Sequence, residues 1–464
     1  MSDALSRLAA VVGEKFAIRN PSEMDGYMRE WRQIWTGRSP LVLRPGSTDE
    51  VSRILAIANG TGTAIVPQGG NTGLCGGQIP TDAGTEVVLS LDRMTRILDV
   101  DAADNTITVQ AGAVLKSVQE AADKADRLFP LSLASEGSCR IGGNLSTNAG
   151  GLNVIAYGNT RDLCLGLEVV LADGRVWNGL KRLRKDNTGY DLRDLFIGAE
   201  GTLGVITGAV MKLFPKPKTQ ETAFIAVPSP QTAVDLLSLA QETSGNRVVA
   251  FELIADLALQ FAIRHAGVRH PLAESSAWYV LAELSDPVPG AMMALFERAT
   301  ERGLVTDAAL AQSDAQRSAF WAARELISES QKPEGGSIKH DVSVPVSKVP
   351  QFLVEADEAV SRLLPGARFV SFGHLGDGNI HYNISQPLGM DKQRFLDMWN
   401  EVNDVVFDVV GRFNGSISAE HGIGRLKAYR MPEIKSAVEL DMMRGLKRML
   451  DPNNILNPGR VLPE

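Results

Sequence analysis

Residues 67–77, PQGGNTGLCGG, decide how this chain is read. Gly69, Gly70, Gly73, Gly76 and Gly77 let the backbone take positive φ and approach a ligand closely, turning N–H groups toward phosphate oxygens. Such a loop suits a diphosphate. It leaves a short apolar strand at Ala64 to Val66, and a β-α unit precedes that strand. PLVLRP (40–45) reads as the strand of that unit, and Ser47 with Glu50 reads as a capping box ahead of Val51, Ile54, Leu55 and Ala58 at helical spacing. The glycines cluster: of 44, seven fall between Gly60 and Gly77 and six between Gly137 and Gly158. A second backbone-exposing loop is therefore expected around SEGSCRIGGNLSTNAGG (135–151), with Ser135, Ser146, Thr147 and Asn148 as small polar donors. No G-x-G-x-x-G and no G-x-x-x-x-G-K-[ST] occurs, which disfavours a nicotinamide Rossmann domain and a P-loop.

Outward from these loops, EVVLSL (86–91), RILDV (96–100) and TITVQAG (106–112) read as short strands, the last two joined by a hairpin at 103–105. Val114 to Ala125 reads as a helix. In LEVVLADGRVW (167–177), Asp173-Gly174 between apolar runs signals a two-residue hairpin. The prolines of FPKPK (214–218) mark a domain boundary. Beyond it TAFIAV, VVAFEL, AWYVLAEL and HDVSVPV alternate with helical stretches, which predicts an antiparallel sheet covered by helices on one face. The fold class is α+β. The expected division is 1–217, 218–425, and a C-terminal segment, 426–464, too short to fold alone and packing on something earlier.

The 464 residues hold about three domains' worth of material. A hydrophobic content of 44%, a charged content of 22% and a mean hydropathy of -0.04 are ordinary globular values. A net charge of -8 offers no attraction to nucleic acid or anionic lipid. Cys75, Cys139 and Cys164 form neither a CxxC pair nor an even disulfide set, as in a reducing compartment. No signal peptide and no transmembrane run is recognisable, and a cytoplasmic location is expected.

Of six histidines, three sit in two short motifs. FVSFGHLGDGNIHYNIS (369–385) reads as two strands joined by a Gly-Asp-Gly-Asn turn, so His374 and His381 face each other across a hairpin, with Asn383 on the face of His381. SISAEHGIG (416–424) supplies Glu420 and His421 after an expected strand. Two imidazoles and a carboxylate, His374, His381 and Glu420, make a three-ligand site for a divalent metal, zinc in the first instance, with an open position for substrate. Arg324 and Ser328 stand at i, i+4 on one helix face and could reach one anion, and the two cations Arg324 and Lys339 suit an acidic substrate.

In order and spacing, PQGGNTGLCGG, LASEGSCRIGGNLSTNAGG, YGNTRD and FIGAEGTLGVIT resemble the FAD-binding domain of the vanillyl-alcohol oxidase and p-cresol methylhydroxylase family. The resemblance implies a two-part FAD-binding domain followed by an α+β substrate (cap) domain. It assigns the FAD diphosphate to Pro67, Gly69, Gly70, Asn71, Thr72 and Gly73, and to Ser135, Glu136, Gly137, Gly142, Gly143, Ser146, Asn148, Gly150, Gly151, Tyr157 and Gly158. Glu200, Gly204 and Ile206 would lie along the adenosine and ribityl portion, and Asn457 completes the set as the C-terminal segment packs back near the flavin. Asn71 stands where some members tether FAD through histidine, so noncovalent FAD is expected, with Cys139 in a packing role.

GHLGDGNIHYN, SAEHGIG and LDPNNILNPGR narrow the resemblance to FAD-dependent D-2-hydroxyacid dehydrogenases, and FWAARELISESQKPEGGSIKHDVSVPV (320–346) to those acting on D-2-hydroxyglutarate. It implies that Arg324, Ser328, Lys339 and Asn383 bind substrate and that His421 takes the hydroxyl proton. A D-lactate or glycolate dehydrogenase and a non-catalytic flavin-binding subunit are the alternatives. The implied partners are a small 2-hydroxyacid and an electron-transfer flavoprotein or quinone as acceptor. Nucleic acid is not among them, and a homodimer is left open.

Overall fold

The computed structural model describes residues 2–463. The chain divides into two compact units. The first takes the residues up to Gly150, then Gly158–Lys216, and again everything from Glu420 on; the second takes Gly151–Tyr157 and Pro217–Ala419. The return to the first unit thus begins at Glu420, six residues ahead of the boundary read from the sequence.

The first unit carries two larger sheets and a two-stranded one, Arg127–Leu128 with Phe214–Pro215. A mixed four-stranded sheet runs in the order Ala17–Ile18, Val42–Leu43, Val87–Ser90, Ile65–Gln68. Helix Thr48–Thr61 buries Val51, Ile54, Leu55 and Ala58, the stripe its spacing requires. Ser47 caps it by accepting from the Glu50 N–H at 3.2 Å, whereas the Glu50 carboxylate reaches back to the Gly46 N–H at 2.7 Å, one residue short of the reciprocal box. The second sheet is antiparallel, in the order Ile97–Asp101, Thr106–Gln110, Val205–Lys212, Cys164–Val170, Val176–Gly179. The Asp173-Gly174 turn is longer than two residues: Leu171 and Arg175 bond at 2.9 Å and enclose three, with Gly174 left-handed at φ 88°. That is the glycine position of a three-residue hairpin.

The second unit is built on a seven-stranded antiparallel sheet. Its order is Asp307–Leu310, Gln220–Val227, Trp278–Ser285, Val248–Ala255, Arg368–His374, Asn379–Ser385, Ser337–Ser343. Helices cover both faces, not one. On one side Ile254, Val370 and Phe372 join Phe261 of helix Asp256–Ala266 and Phe320 of helix Asp314–Glu325 in a single core. On the other, Tyr382 meets Phe352 of helix Val349–Leu363, and His340 meets Phe407 of helix Trp399–Arg412. The reason is visible in Val248–Ala255, VVAFELIA, whose eight residues are all buried: a strand apolar at both parities needs cover on both sides.

Candidate functional site

In the first unit a solvent-open cleft lies against the first glycine loop. The strand Ile65–Gln68 delivers the chain to its rim. Among the described residues, the backbone N–H groups of Gly70, Asn71, Thr72 and Gly73 find no acceptor, and neither does that of Gly143. Successive unbonded donors of this kind form an anion-binding concavity. A Cβ on Gly70 would stand 2.1 Å from the Ser138 carbonyl oxygen, so the first loop is pressed against the second at a point where only glycine fits. Asn71, at φ 55°, spends its side chain on structure: its amide donates to the Gly26 and Arg29 carbonyls at 2.9 and 2.7 Å and accepts from Gln78 at 3.2 Å.

Pro67, Gly69 to Gly73, Gly142, Gly143, Ser146, Glu200, Gly204, Ile206 and Asn457 all line this cleft, and so does His421. Ser135, Glu136, Gly137, Asn148, Gly150 and Gly158 do not, and Gly151 and Tyr157 belong to the second unit. Asn148 instead ends helix Ile141–Thr147 in the left-handed conformation and accepts from the Arg161 N–H. Gln78 and Arg140 line the cleft without having been nominated. Gln78 directly follows the pair Gly76-Gly77 and Arg140 stands two residues before the pair Gly142-Gly143, which is the signal that would have found them.

Glu200 ties this cleft to the SISAEHGIG segment. Its backbone is left-handed at φ 50°, and its carboxylate accepts from the N–H groups of Ile423 and Gly424 at 2.7 and 2.8 Å. Burial raises its carboxyl to about 6, against the opposing pull of those two donors. Asn457 donates its amide to the Glu200 carbonyl at 2.8 Å, while its buried Oδ1 has no partner. The expected strand before Glu420 is absent: Ser416 forms one isolated bridge to Ser343, and bends follow. Glycines at 415, 422 and 424 in so short a stretch do not sustain a ladder. Unbonded donors at the loops and an unsatisfied buried acceptor at Asn457 fit a ligand with a diphosphate and hydroxyl groups, as FAD has.

The second unit gathers its polar groups on one sheet face. Register pairs Glu252 with His374, His374 with Asn379, Asp341 with His381 and Lys339 with Asn383, and paired residues share a face. His374 and His381 are diagonal neighbours, not direct partners, since Phe372 opposes His381. The turn is accordingly Leu375 to Gly378, and Asn379 belongs to the strand. Their rings nonetheless meet edge-on with centroids 5.4 Å apart, and a ring nitrogen of each lies within 4.8 Å of the other. The Ala419 N–H donates to the Asp341 carbonyl at 3.3 Å, so the chain leaves this unit beside the residue paired with His381, and Glu420 follows.

Arg324 is buried in the last turn of helix Asp314–Glu325, with its guanidinium 4.8 Å from the Phe372 ring centroid. The helix stops there, and Ser328 sits on a separate short helix, Ile327–Ser330, so the two do not share one continuous helix face. Lys339 reaches Ser328 instead, donating from Nζ to its carbonyl at 3.1 Å. The residue that sequence reading missed is Glu252. Fully buried, it accepts from Arg324 Nε with Oε2 and from His374 Nδ1 with Oε1, both at 2.6 Å. Burial alone would raise its carboxyl, yet Arg324 and the His374 ring together hold it well below the usual carboxylate range. A lone glutamate inside VVAFELIA was the available signal, because glutamate is almost never fully buried unless paired.

An FAD binding domain model matches residues 39–179, and a model for the C-terminal domain of FAD linked oxidases matches residues 216–461. A D-2-hydroxyglutarate dehydrogenase of Xanthomonas citri pv. viticola is 39% identical over 444 residues, covering 95% of this chain and 93% of its own. One of Stutzerimonas stutzeri is 36% identical, covering 98% of each chain. The mitochondrial D-2-hydroxyglutarate dehydrogenase of Arabidopsis thaliana is 38% identical over all of this chain and 82% of its own. Among solved structures, p-cresol methylhydroxylase with substrate bound superposes with a TM-score of 0.77 at 17% identity, over 100% of this chain and 97% of the other, a likeness of fold. No described helix is long and apolar enough to cross a membrane.

Proposed function

The chain belongs to the FAD-linked oxidase family and is an FAD-dependent oxidoreductase, and from that premise we propose that it oxidises D-2-hydroxyglutarate to 2-oxoglutarate. One observation carries the choice of acid: relatives of that activity match at 36–39% identity across nearly the whole chain. The polar face of the second unit supports it, since Arg324, Lys339 and the Ser328 turn supply the charge and donors that a second carboxylate needs. Arg324 and Lys339 take the distal carboxylate in this reading, with Ser328 and Asn383 beside them. FAD, held noncovalently, is the acceptor of the hydride from the substrate Cα, and a divalent cation on His374, His381 and Glu420, zinc in the first instance, supplies a Lewis acid for the hydroxyl. His421 takes the hydroxyl proton, poised next in sequence to Glu420 and lining the flavin cleft. Onward transfer to an electron-transfer flavoprotein or quinone, and a cytoplasmic location, belong to the same proposal.

The test is anaerobic bleaching of the purified yellow protein in a stopped-flow instrument, with D-2-hydroxyglutarate, D-lactate, D-malate and glycolate in parallel. D-2-hydroxyglutarate is expected to bleach fastest. Faster bleaching by D-lactate or glycolate would transfer the assignment to that acid. A flavin that none of the four reduces would favour a flavin-binding subunit without turnover.

A further inference from the structure

We propose that Glu252 is a positioning residue that fixes a metal-binding imidazole and the substrate's anion anchor with a single carboxylate, one oxygen for each. The inference rests on the reading of His374 as a metal ligand and Arg324 as the carboxylate binder. It begins from the donor inventory. The Arg324 Nε can only donate, and at 2.6 Å from Oε2 it does so to a carboxylate that accepts. An ionised carboxylate has no proton to give, so the contact of Oε1 with His374 Nδ1 at 2.6 Å is Nδ1–H donating. That places the ring proton on Nδ1, so in the neutral imidazole the lone pair is on Nε2, the atom required for a metal bond, and Glu252 is the outer partner that holds the ring to it.

Three observations make this a built arrangement. Glu252 is 0% exposed, and Arg324 and His374 are 6% and 5% exposed, so none of the three is a surface pairing made and broken by solvent. Glu252 and His374 are register partners on adjacent strands, so their separation is fixed by the sheet ladder. Arg324 arrives from a helix on the same face and stacks on Phe372, two residues before His374. A shift at either partner is transmitted to the other through one rigid group, which links the site's grip on the distal carboxylate to the orientation of a metal ligand.

The chemistry also selects the test. In Glu252→Gln the side chain keeps its size, yet an amide accepts at one end and donates at the other, so its NH₂ must face one of two donors and one link fails. Flavin-loaded protein stripped of metal by chelator is titrated with zinc, following the free ion with a competing dye, in wild type and Glu252→Gln. The same proteins, reconstituted, give kcat/KM for D-2-hydroxyglutarate and D-lactate. Wild type is expected to bind one zinc per chain, and Glu252→Gln to bind it about 10- to 100-fold more weakly, with its preference for the dicarboxylate reduced. Unchanged zinc affinity and unchanged preference in Glu252→Gln would overturn the proposal. Weakened zinc binding with full preference would overturn the coupling to Arg324. Failure of wild type itself to bind zinc is a separate result, and removes the metal reading on which the proposal stands. Should Glu252→Gln not fold, Glu252→Met combined with Arg324→Met removes the buried pair as a unit, a change such pairs often tolerate. Zinc affinity retained in that double variant, where His374 has lost its acceptor, would equally overturn the proposal.

Discussion

The Glu200 carboxylate shows how one residue can be costly and retained. Half-buried, left-handed and facing two backbone donors, it keeps its proton up to about 6 in the fold against 4.5 when unfolded. A raised carboxyl favours the folded state most while it is protonated, so its contribution is present below pH 4.5 and is lost as pH rises through 6. The span corresponds to about 2 kcal/mol. In flavin-stripped protein, the stability of wild type relative to Glu200→Gln should therefore fall by that amount between about pH 3.5 and 7.5, measured by urea unfolding at each pH. A difference that does not vary with pH would show the carboxyl to be unperturbed. At this scale the sequence was a partial guide. The glycines, histidines and Asn457 stand in runs whose composition is unusual, so they could be named from residues alone. Glu252 and the Ile423 and Gly424 donors matter only through partners remote in sequence, and no local pattern records such pairs.

At the scale of elements, periodicity was informative and turn geometry was not. Helix Thr48–Thr61 and the core strands of the second unit follow from apolar spacing, which tertiary burial then enforces. The errors fell at ends and turns: a three-residue hairpin at Asp173-Gly174, a helix that stops at Glu325, and a bend where a strand was expected before Glu420. Each depends on one or two backbone dihedrals that several residues can adopt. The covering of both sheet faces was legible in VVAFELIA, apolar at both parities apart from Glu252, but was read as one-sided. The first glycine loop is sensitive to change, because it touches the second loop backbone to backbone. Gly70→Ala places a methyl 2.1 Å from the Ser138 oxygen and must separate the loops. That variant should purify with less than half the wild-type FAD per chain, read from the ratio of flavin to protein absorbance. In wild type, acid precipitation should release the flavin into the supernatant, as noncovalent attachment by a loop carrying Asn71 requires. Full flavin occupancy in Gly70→Ala would remove the loop from the binding site.

On the scale of the whole molecule, the flavin cleft draws its walls from the first unit and the paired histidines lie on the second. Chelation should therefore abolish turnover and leave the bound-flavin absorption spectrum unchanged, with zinc restoring activity. Loss of the flavin spectrum along with turnover would show the two sites to be one thermodynamic unit, and active protein without a stoichiometric divalent ion would make the histidines a hydrogen-bonding pair. The path of the chain adds a temporal constraint. Ile65 donates its N–H to the Ile455 carbonyl at 2.7 Å and accepts from the Asn457 N–H at 2.9 Å, so the strand that feeds the glycine loop is edged by residues from the far end of the sequence. Domains ordinarily fold during synthesis from the N-terminus onward. Here the ribosome has to translate the entire second unit before the first can close, and the nascent flavin cleft stays incomplete, exposed to chaperones and proteases, until Asn457 has emerged from the exit tunnel.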